Sequence, residues 1–304
     1  MSGFSPIVHR RTSDAMALIV NLYIVETAEA LVLVDGAISR SFAAGVRAEI
    51  AGMGKPLAAA LLTHGHPDHY LGIGDILRDN AVPIYARPGA AAQVALRDRT
   101  ERAGMQMAFG DDFPAHTRQP DRLVEAGAVL TLGGLAFELA DYGPAESDSD
   151  GTWTIHDAAT GIEHVFCGDL IYNHMHLFLQ DGHAEAWLAA LDRLAAAHPP
   201  GTRFYPGHGE PCGHELLHWN RAYIHMYLET LGTLLGPAAD LDDAGKATLV
   251  ATIRSFLPSN DLIQLAQFKL DETIHHLGAA ARRAVAETQT GSAAVASTAV
   301  KSIA

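Results

Sequence analysis

The stretch His64-Gly65-His66-Pro67-Asp68-His69 places three imidazoles and one carboxylate within six residues, directly after the short apolar run Ala58 to Thr63. The apolar run predicts a buried strand, so these polar side chains would emerge together at its end. Residues two apart in a loop project to the same side, which lets His64 and His66 converge on one cation while Asp68 and His69 face a second. The intervening glycine and proline favour a tight, rigid loop over a helix.

Two later segments offer partners for this cluster. Gly168-Asp169 ends the apolar run Glu163 to Cys167, and its carboxylate has two oxygens with which to bridge two ions. Pro206-Gly207-His208-Gly209 places another imidazole in a glycine-bracketed loop after a predicted strand. Each of these residues alone would be unremarkable, and the first cluster alone is compatible with a polar surface turn. The full set favours a metal site, because each cation needs about three protein ligands.

The composition of the chain indicates which kinds of molecule it is expected to bind. The chain has 304 residues, 48% of them hydrophobic, and 35 acidic against 21 basic residues give a net charge of -14. Such a charge repels phosphate backbones and anionic membranes, so neither nucleic acid nor a membrane is an expected partner. Cys167 and Cys212 are too few for a disulfide framework. Without a recognisable leader or an apolar span of about 18 residues, we expect a cytoplasmic protein with a small-molecule substrate.

Strand and helix patterns alternate along the first two thirds of the chain, which predicts an α/β sandwich. The clearest elements are two hairpins and three helices, predicted at Leu18 to Asp35, Val129 to Asp141, Ser39 to Ala51, Tyr70 to Asn80 and Ala184 to Ala197. After about Glu210 the pattern is mostly helical. We therefore expect a catalytic domain over residues 1–212 and a helical C-terminal extension over 213–286. Residues 287–304 lack periodicity and are predicted to be a disordered tail.

Taken together, these motifs resemble the metallo-β-lactamase superfamily, in which His-x-His-x-Asp-His is followed by a later histidine, a bridging aspartate and a final histidine. The resemblance covers roughly Leu18 to Glu210. It implies an αββα sandwich with a metal site at one edge, between the two sheets. Carried over by position, it also implies a ligand set: His64 and His66 for the first metal, Asp68, His69 and His208 for the second, and Asp169 as the bridge.

The chain departs from the family pattern at the middle histidine, which normally lies in a Gly-Pro-x-His-Ser loop. Here the loop reads Gly143-Pro144-Ala145-Glu146-Ser147-Asp148, so Glu146 occupies the place of the histidine. We interpret Glu146 as a ligand, because the flanking residues keep the register and carboxylates bind zinc, manganese or iron. Asp148 is the alternative ligand. A third interpretation is a solvated Glu146 beside a weakly held first metal.

Two divalent metal ions are thus the expected cofactor. Zn²⁺ is the first candidate by family habit, with Mn²⁺ and Fe²⁺ as alternatives, because the extra carboxylate of Glu146 favours harder metals. The resemblance implies that a metal-bound hydroxide cleaves a small ester, thioester, lactone or β-lactam. Asp68 would accept the proton or orient the hydroxide.

Residues around the motifs are further candidates for the site. Tyr172 lies three residues after Asp169, where some lactonases of this superfamily carry a tyrosine that binds the substrate carbonyl, although an ordinary core tyrosine fits equally well. His176 is a weaker candidate for the pocket wall. Asp35, at the end of an early strand, either supports the metal-site loop or caps a turn.

Two other functions remain open at this point. One is an iron-dependent oxidoreductase of the persulfide dioxygenase kind, which shares the same fold. The other is a binding protein that has lost turnover, for which the substitution at Glu146 is the only argument in the sequence. Assembly into a homo-oligomer also stays open.

Overall fold

The computed structural model describes the backbone of residues 4–78 and 81–301, and the side chains of these residues up to 290. The first of its two β-sheets has the strand order β1-β2-β3-β4-β5-β6. Pairing is antiparallel from β1 to β3 and parallel from β3 to β6. The strands span Ile7–Thr12, Asn21–Glu26, Leu31–Val34, Leu57–Leu61, Ile84–Ala86 and Arg122–Leu123, in that order.

The second sheet has the strand order β11-β10-β9-β8-β7. Its strands span Val129–Leu132 (β7), Leu135–Gly143 (β8), Asp150–His156 (β9), Glu163–Tyr172 (β10) and Arg203–His208 (β11). Strands β7 to β10 pair antiparallel, whereas β10 and β11 are parallel. Helix α5 connects β10 to β11, which suits a parallel pair because such strands need a crossover.

Helices connect the strands and follow the last of them. They are α1 (Arg40–Gly52), α2 (Pro67–Tyr70), α3 (Ile73–Leu77), α4 (Pro88–Phe109), α5 (Ala184–Ala197), α6 (Glu215–Leu235), α7 (Asp243–Phe256), α8 (Ile263–Gln267) and α9 (Leu270–Lys301). In the part of the chain that the structure describes, none of these helices is both long and apolar enough to span a bilayer.

The two sheets pack face to face because their central strands are apolar on both faces. Side chains alternate across a strand, so in β2 Tyr23 and Val25 face the second sheet while Leu22 and Ile24 face the outer helices. Trp153 of the second sheet lies in the same inner layer as Tyr23. Helices α1, α3 and α4 cover the first sheet, and the later helices cover the second. The predicted αββα sandwich is confirmed.

Local structure differs from the sequence-based expectations around the histidine motif. Pro67–Tyr70 forms one helical turn instead of continuing a loop, because Pro67 occupies the first helical position, where its missing N–H costs nothing. The helix predicted over Tyr70 to Asn80 is divided, with α3 limited to Ile73–Leu77. Its predicted end, Asn80, lies outside the described residues. Strand β1 was not predicted at all.

The C-terminal helices share one apolar core with the second sheet. Leu228 and Leu231 of α6 and Leu277 of α9 belong to the same buried cluster as Val165 of β10. Helix α9 continues to Lys301, through most of the range predicted to be a disordered tail. The boundaries between a catalytic domain and an extension stay a prediction.

Asn220 of α6 joins this helical layer to β10 through a fully buried amide. Its Oδ1 accepts a hydrogen bond from the Tyr172 N–H at 3.0 Å, and its Nδ2 donates to the Tyr172 carbonyl at 2.9 Å. A third bond, from Nδ2 to the Leu216 carbonyl, measures 2.7 Å. The amide therefore satisfies both backbone groups of Tyr172 at the end of the strand.

We predict that Asn220→Leu lowers the free energy of unfolding by about 3 kcal/mol, because two buried backbone groups lose their partner. Urea unfolding of the purified protein measures this change. His218→Leu, at an exposed position of the same helix, is the matched control and should change the free energy by less than about 0.5 kcal/mol. Equal stability of the two variants would contradict the prediction.

Candidate metal centre

The seven predicted ligands come from four separate segments that meet where strands end. His64 and His66 follow β4, and Asp68 and His69 lie in the helical turn α2. The other three are Glu146 in the connection from β8 to β9, Asp169 in β10 and His208 at the end of β11. None of the seven exposes more than 6% of its surface. Charges buried this deeply require compensation by hydrogen bonds, counter-charges or a metal.

The ligands form two clusters, and in each of them one ligand atom per residue lies within 4.8 Å of the others. The first cluster contains His64, His66, Glu146 and Asp169, and the second contains Asp68, His69 and His208. This division matches the assignment that the resemblance implied. Every predicted ligand, Glu146 included, is therefore brought into a group that can hold a metal.

Asp169 belongs to the first cluster, and both of its carboxylate oxygens also lie close to histidines of the second. Its Oδ1 lies 3.2 Å from His69 Nε2, and its Oδ2 lies 3.3 Å from His208 Nε2. Asp68 Oδ2 lies 3.3 Å from His208 Nε2 as well. The carboxylate thus occupies the position that a bridging ligand requires.

Distances and unsatisfied atoms both fit bound cations. Two ligand atoms about 2.1 Å from one tetrahedral cation lie ~3.4 Å apart. In the first cluster, Glu146 Oε2 lies 3.0 Å from His66 Nδ1 and 3.7 Å from His64 Nε2. Several of these buried atoms lack a hydrogen-bond partner among the described residues: His64 Nε2, His69 Nε2, Glu146 Oε2 and Asp169 Oδ1. One cation in each cluster would satisfy these four atoms.

Asp35 orients two of the histidines from behind. Its Oδ2 accepts from His69 Nδ1 at 3.0 Å and from the Thr63 hydroxyl at 2.8 Å, and Thr63 Oγ1 lies 3.0 Å from His64 Nδ1. Because the Nδ1 atoms are engaged, both rings present Nε2 to the clusters. Asp35 adopts φ 58°, a strained conformation that aspartate tolerates better than most residues. Asp35 therefore lies where the predicted supporting role requires it, in contact with His69 and Thr63.

His66 is oriented by residues that the sequence did not reveal. Its Nε2 lies 3.0 Å from Asp181 Oδ2, and the guanidinium of Arg97 in α4 binds the same oxygen. Asp181 lies in the loop before α5, 115 residues from His66. Neither motif nor spacing marks Asp181 or Arg97, so only the folded arrangement identifies them.

Glycine allows the backbone to approach the clusters closely at two points. A Cβ on Gly207 would lie 1.9 Å from Asp169 Oδ1 and 2.6 Å from His69 Cε1. A Cβ on Gly65 would lie 2.4 Å from Gln93 Cβ in α4. A side chain at Gly207 would displace a candidate ligand and one at Gly65 would collide with α4, so both glycines are sterically required.

Charge compensation within the site shifts several pKa values. Burial raises the pKa of Glu146 to about 8, although the neighbouring His66 opposes the shift. Burial acts on Asp169 in the same direction, but His208 and His69 hold its pKa well below the usual range. Burial alone would lower the pKa of His208, yet the Asp169 carboxylate raises it to about 9. Cations bound among these groups would take over the compensating role of the protons.

The clusters lie at the base of a cavity of about 650 Å³. One wall is α4, another is the loop that precedes α5, and a third comes from the C-terminal helices. Apolar side chains from all three parts line it, together with one near the N-terminus: Leu18, Met105, Phe178, Leu265 and Phe268. A small molecule in this cavity would contact the metal ligands directly.

A comparison of the sequence with models of protein families agrees with this geometry. The sequence model of the metallo-beta-lactamase superfamily matches residues 15–208, which is more than half of the chain. The chain belongs to the metallo-beta-lactamase superfamily. The matched segment contains all seven candidate ligands, so the recognition made from the histidine motif is confirmed.

Individual proteins resemble this chain at modest sequence identity. A hydroxyacylglutathione hydrolase from Cupriavidus metallidurans is 27% identical over 69% of this chain and 71% of its own length. A beta-lactamase domain protein from Burkholderia ambifaria has a TM-score of 0.66 at 19% identity, covering 90% of this chain and 86% of its own. The structure of TTHA1623 in a di-iron-bound form has a TM-score of 0.54 at 27% identity, and the match covers 71% of this chain and 99% of TTHA1623.

Of the remaining residues predicted from the sequence, one reaches the clusters and two do not. The hydroxyl of Tyr172 reaches the clusters, because its single proton lies within donating distance of Asp169 Oδ2, at 2.7 Å, and of Glu146 Oε1, at 3.2 Å. The prediction for His176 is wrong: its ring is buried away from the cavity, against the Tyr223 hydroxyl and the Ser259 carbonyl. Asp148 does not join either cluster, since its carboxylate is 58% exposed and bonds His183.

We predict that Glu146→Ala binds the first-cluster ion more weakly and loses it on dialysis, because that cluster then keeps two neutral imidazoles and only a shared carboxylate, that of Asp169. Metal content after dialysis, measured by mass spectrometry, tests this loss. Asp148→Ala removes a carboxylate from the same loop and is the matched control, expected to keep both ions. If the two variants retained equal metal, Glu146 would not be a ligand.

Proposed function

We propose that this protein is a metal-dependent hydrolase that cleaves a small ester, thioester, lactone or β-lactam at a site with two divalent cations. The observation that supports this proposal most strongly is the convergence of seven buried ligand residues at the base of one cavity. The similarity to a hydroxyacylglutathione hydrolase supports the hydrolytic class and an acyl substrate.

The residues present suit such a pair of cations. His64, His66 and Glu146 would hold the first, Asp68, His69 and His208 the second, and Asp169 would lie between them. When bound, the cations would supply Lewis acidity that lowers the pKa of a shared water and polarises a carbonyl. Zn²⁺ is our first candidate, and the carboxylate of Glu146 keeps Mn²⁺ and Fe²⁺ as alternatives.

Asp68 and Tyr172 are the catalytic residues that we propose, since both line the cavity. Burial opposes ionisation of Asp68, but His69 and His208 hold its pKa below the usual range, so the carboxylate is available to accept a proton or orient water. Burial and the Asp169 carboxylate raise the pKa of Tyr172. Its hydroxyl therefore stays protonated and can donate to an oxygen that gains negative charge.

The size and lining of the cavity support a small substrate with an apolar part. Phe268 lies at the cavity with 55% of its surface exposed, and Leu265 and Met105 extend the apolar wall. An acyl or leaving group that covers these side chains would gain hydrophobic contact while its carbonyl reaches the clusters. Both cysteines are free, which is consistent with our proposal of a cytoplasmic protein.

An iron-dependent oxidoreductase is the second candidate, because the relative TTHA1623 is described with two irons at 27% identity. Metal analysis of the purified protein and an oxygen electrode separate the two candidates. Iron together with oxygen consumption would support the oxidoreductase. Chelator-sensitive cleavage of acyl substrates without oxygen consumption would support the hydrolase. The absence of both activities would support a binding protein.

We predict that Asp169→Ala abolishes hydrolysis and removes metal, because its carboxylate belongs to the first cluster and lies within 3.3 Å of two histidines of the second. A screen of lactone, thioester and β-lactam substrates, with and without chelator, provides the assay, and mass spectrometry provides the metal content. Asp192→Ala is the matched control: it removes an exposed aspartate whose ion pair with Arg221 lies away from the cavity. Full turnover and full metal content in Asp169→Ala would show the assignment to be wrong.

We also predict that Tyr172→Phe lowers kcat about 100-fold while metal content stays unchanged. The phenyl ring can keep the stacking of Tyr172 on His208, 5.1 Å between ring centres, and only the hydroxyl is lost. Steady-state kinetics and metal analysis of the same preparation provide the measurement. An unaltered kcat would mean that the hydroxyl serves packing alone.

A further inference from the structure

His66 is held at both ring nitrogens, by partners from opposite sides of the cavity. Its Nε2 lies 3.0 Å from Asp181 Oδ2, and its Nδ1 lies 3.0 Å from Glu146 Oε2 in the first cluster. Only the contact with Asp181 is a hydrogen bond, because Glu146 Oε2 has no hydrogen-bond partner among the described residues. A carboxylate can only accept, so the N–H of a neutral His66 belongs on Nε2, facing Asp181. The lone pair of Nδ1 then points at the first cluster, which is the arrangement a metal ligand needs.

Asp181 is itself fixed by groups from two walls of the cavity. The guanidinium of Arg97 in α4 binds its Oδ2, and both side chains of this pair are less than 15% exposed. The loop that carries Asp181 is also tied to α9, where His276 Nδ1 bonds the Gln180 carbonyl at 2.8 Å. A Cβ on Gly182, the next residue, would lie 2.9 Å from His276 Cβ, so the loop is closely packed against this helix.

We propose that Asp181, held by Arg97, is a positioning residue that presents His66 to the first cation. The inference rests on the metal site of the proposed function and adds residues outside the ligand set. His64 and His69 obtain their orientation from Thr63 and Asp35, next to the ligands in the first sheet. His66 instead obtains it from the cavity wall. The affinity of the first cluster therefore depends on contacts that the second cluster does not share.

The test is a Co²⁺ titration of the purified protein, followed by d–d absorption in competition with a chelator. A His66→Ala variant identifies which binding step belongs to the first cluster. We expect Asp181→Ala to weaken that step by about 10- to 100-fold and to leave the second-cluster step unchanged. Asp181→Asn keeps an oxygen that accepts from Nε2, so its affinity should fall between that of the wild type and that of the alanine variant.

Asp192→Ala, which also removes an aspartate paired with an arginine, is the control and should match the wild type in both steps. A first-cluster step as tight in Asp181→Ala as in the wild type would refute the positioning role. Equal weakening of both steps would refute it too, because that result indicates a general loss of structure. A wild-type protein that binds no Co²⁺ would refute the proposed function as well, so the two failures are distinguishable.

Discussion

Buried charge is the constraint on which the arrangement of this site depends. Three carboxylates and four imidazoles occupy a volume from which water is almost excluded. Such groups are costly to bury alone, and they become tolerable only when opposite charges or cations lie among them. The close approaches at Gly207 and Gly65 show how tightly the backbone surrounds this charge. The candidate ligands lie at or near the ends of strands, and the packing of the two sheets keeps them close together.

The candidate histidine ligands are oriented by hydrogen-bond acceptors from two places, the first sheet and the cavity wall. Asp35 acts from the first sheet on His69 directly and on His64 through Thr63. Asp181 acts on His66 from the loop between β10 and α5. Because ring orientation decides which nitrogen meets a cation, these acceptors contribute to affinity although they touch no metal. One histidine of the first cluster is thus sensitive to the packing of helices that are remote in sequence.

The sequence was sufficient to predict which seven residues converge, because the family motifs that carry them restrict residue type and spacing strongly. Glu146 was identified by its register within the loop, and Asp35 by its position at a strand end. Asp181 and Arg97 were not identified, because their contact arises from tertiary packing alone. His176 was misplaced because the chain leaves β10 after Tyr172 and turns at His174, whose φ is 54°, so alternation along the strand no longer applies.

Asn220 shows that residues beyond the end of the family match stabilise the matched region. The match ends at His208, yet the amide that anchors the backbone of Tyr172 lies twelve residues later, on α6. A polypeptide shortened to the matched region would carry every candidate ligand and still leave two peptide groups beside them without their amide partner. Recombination or truncation at that point would separate the ligands from part of their scaffold, so the helical layer and the metal centre are expected to be inherited as one unit.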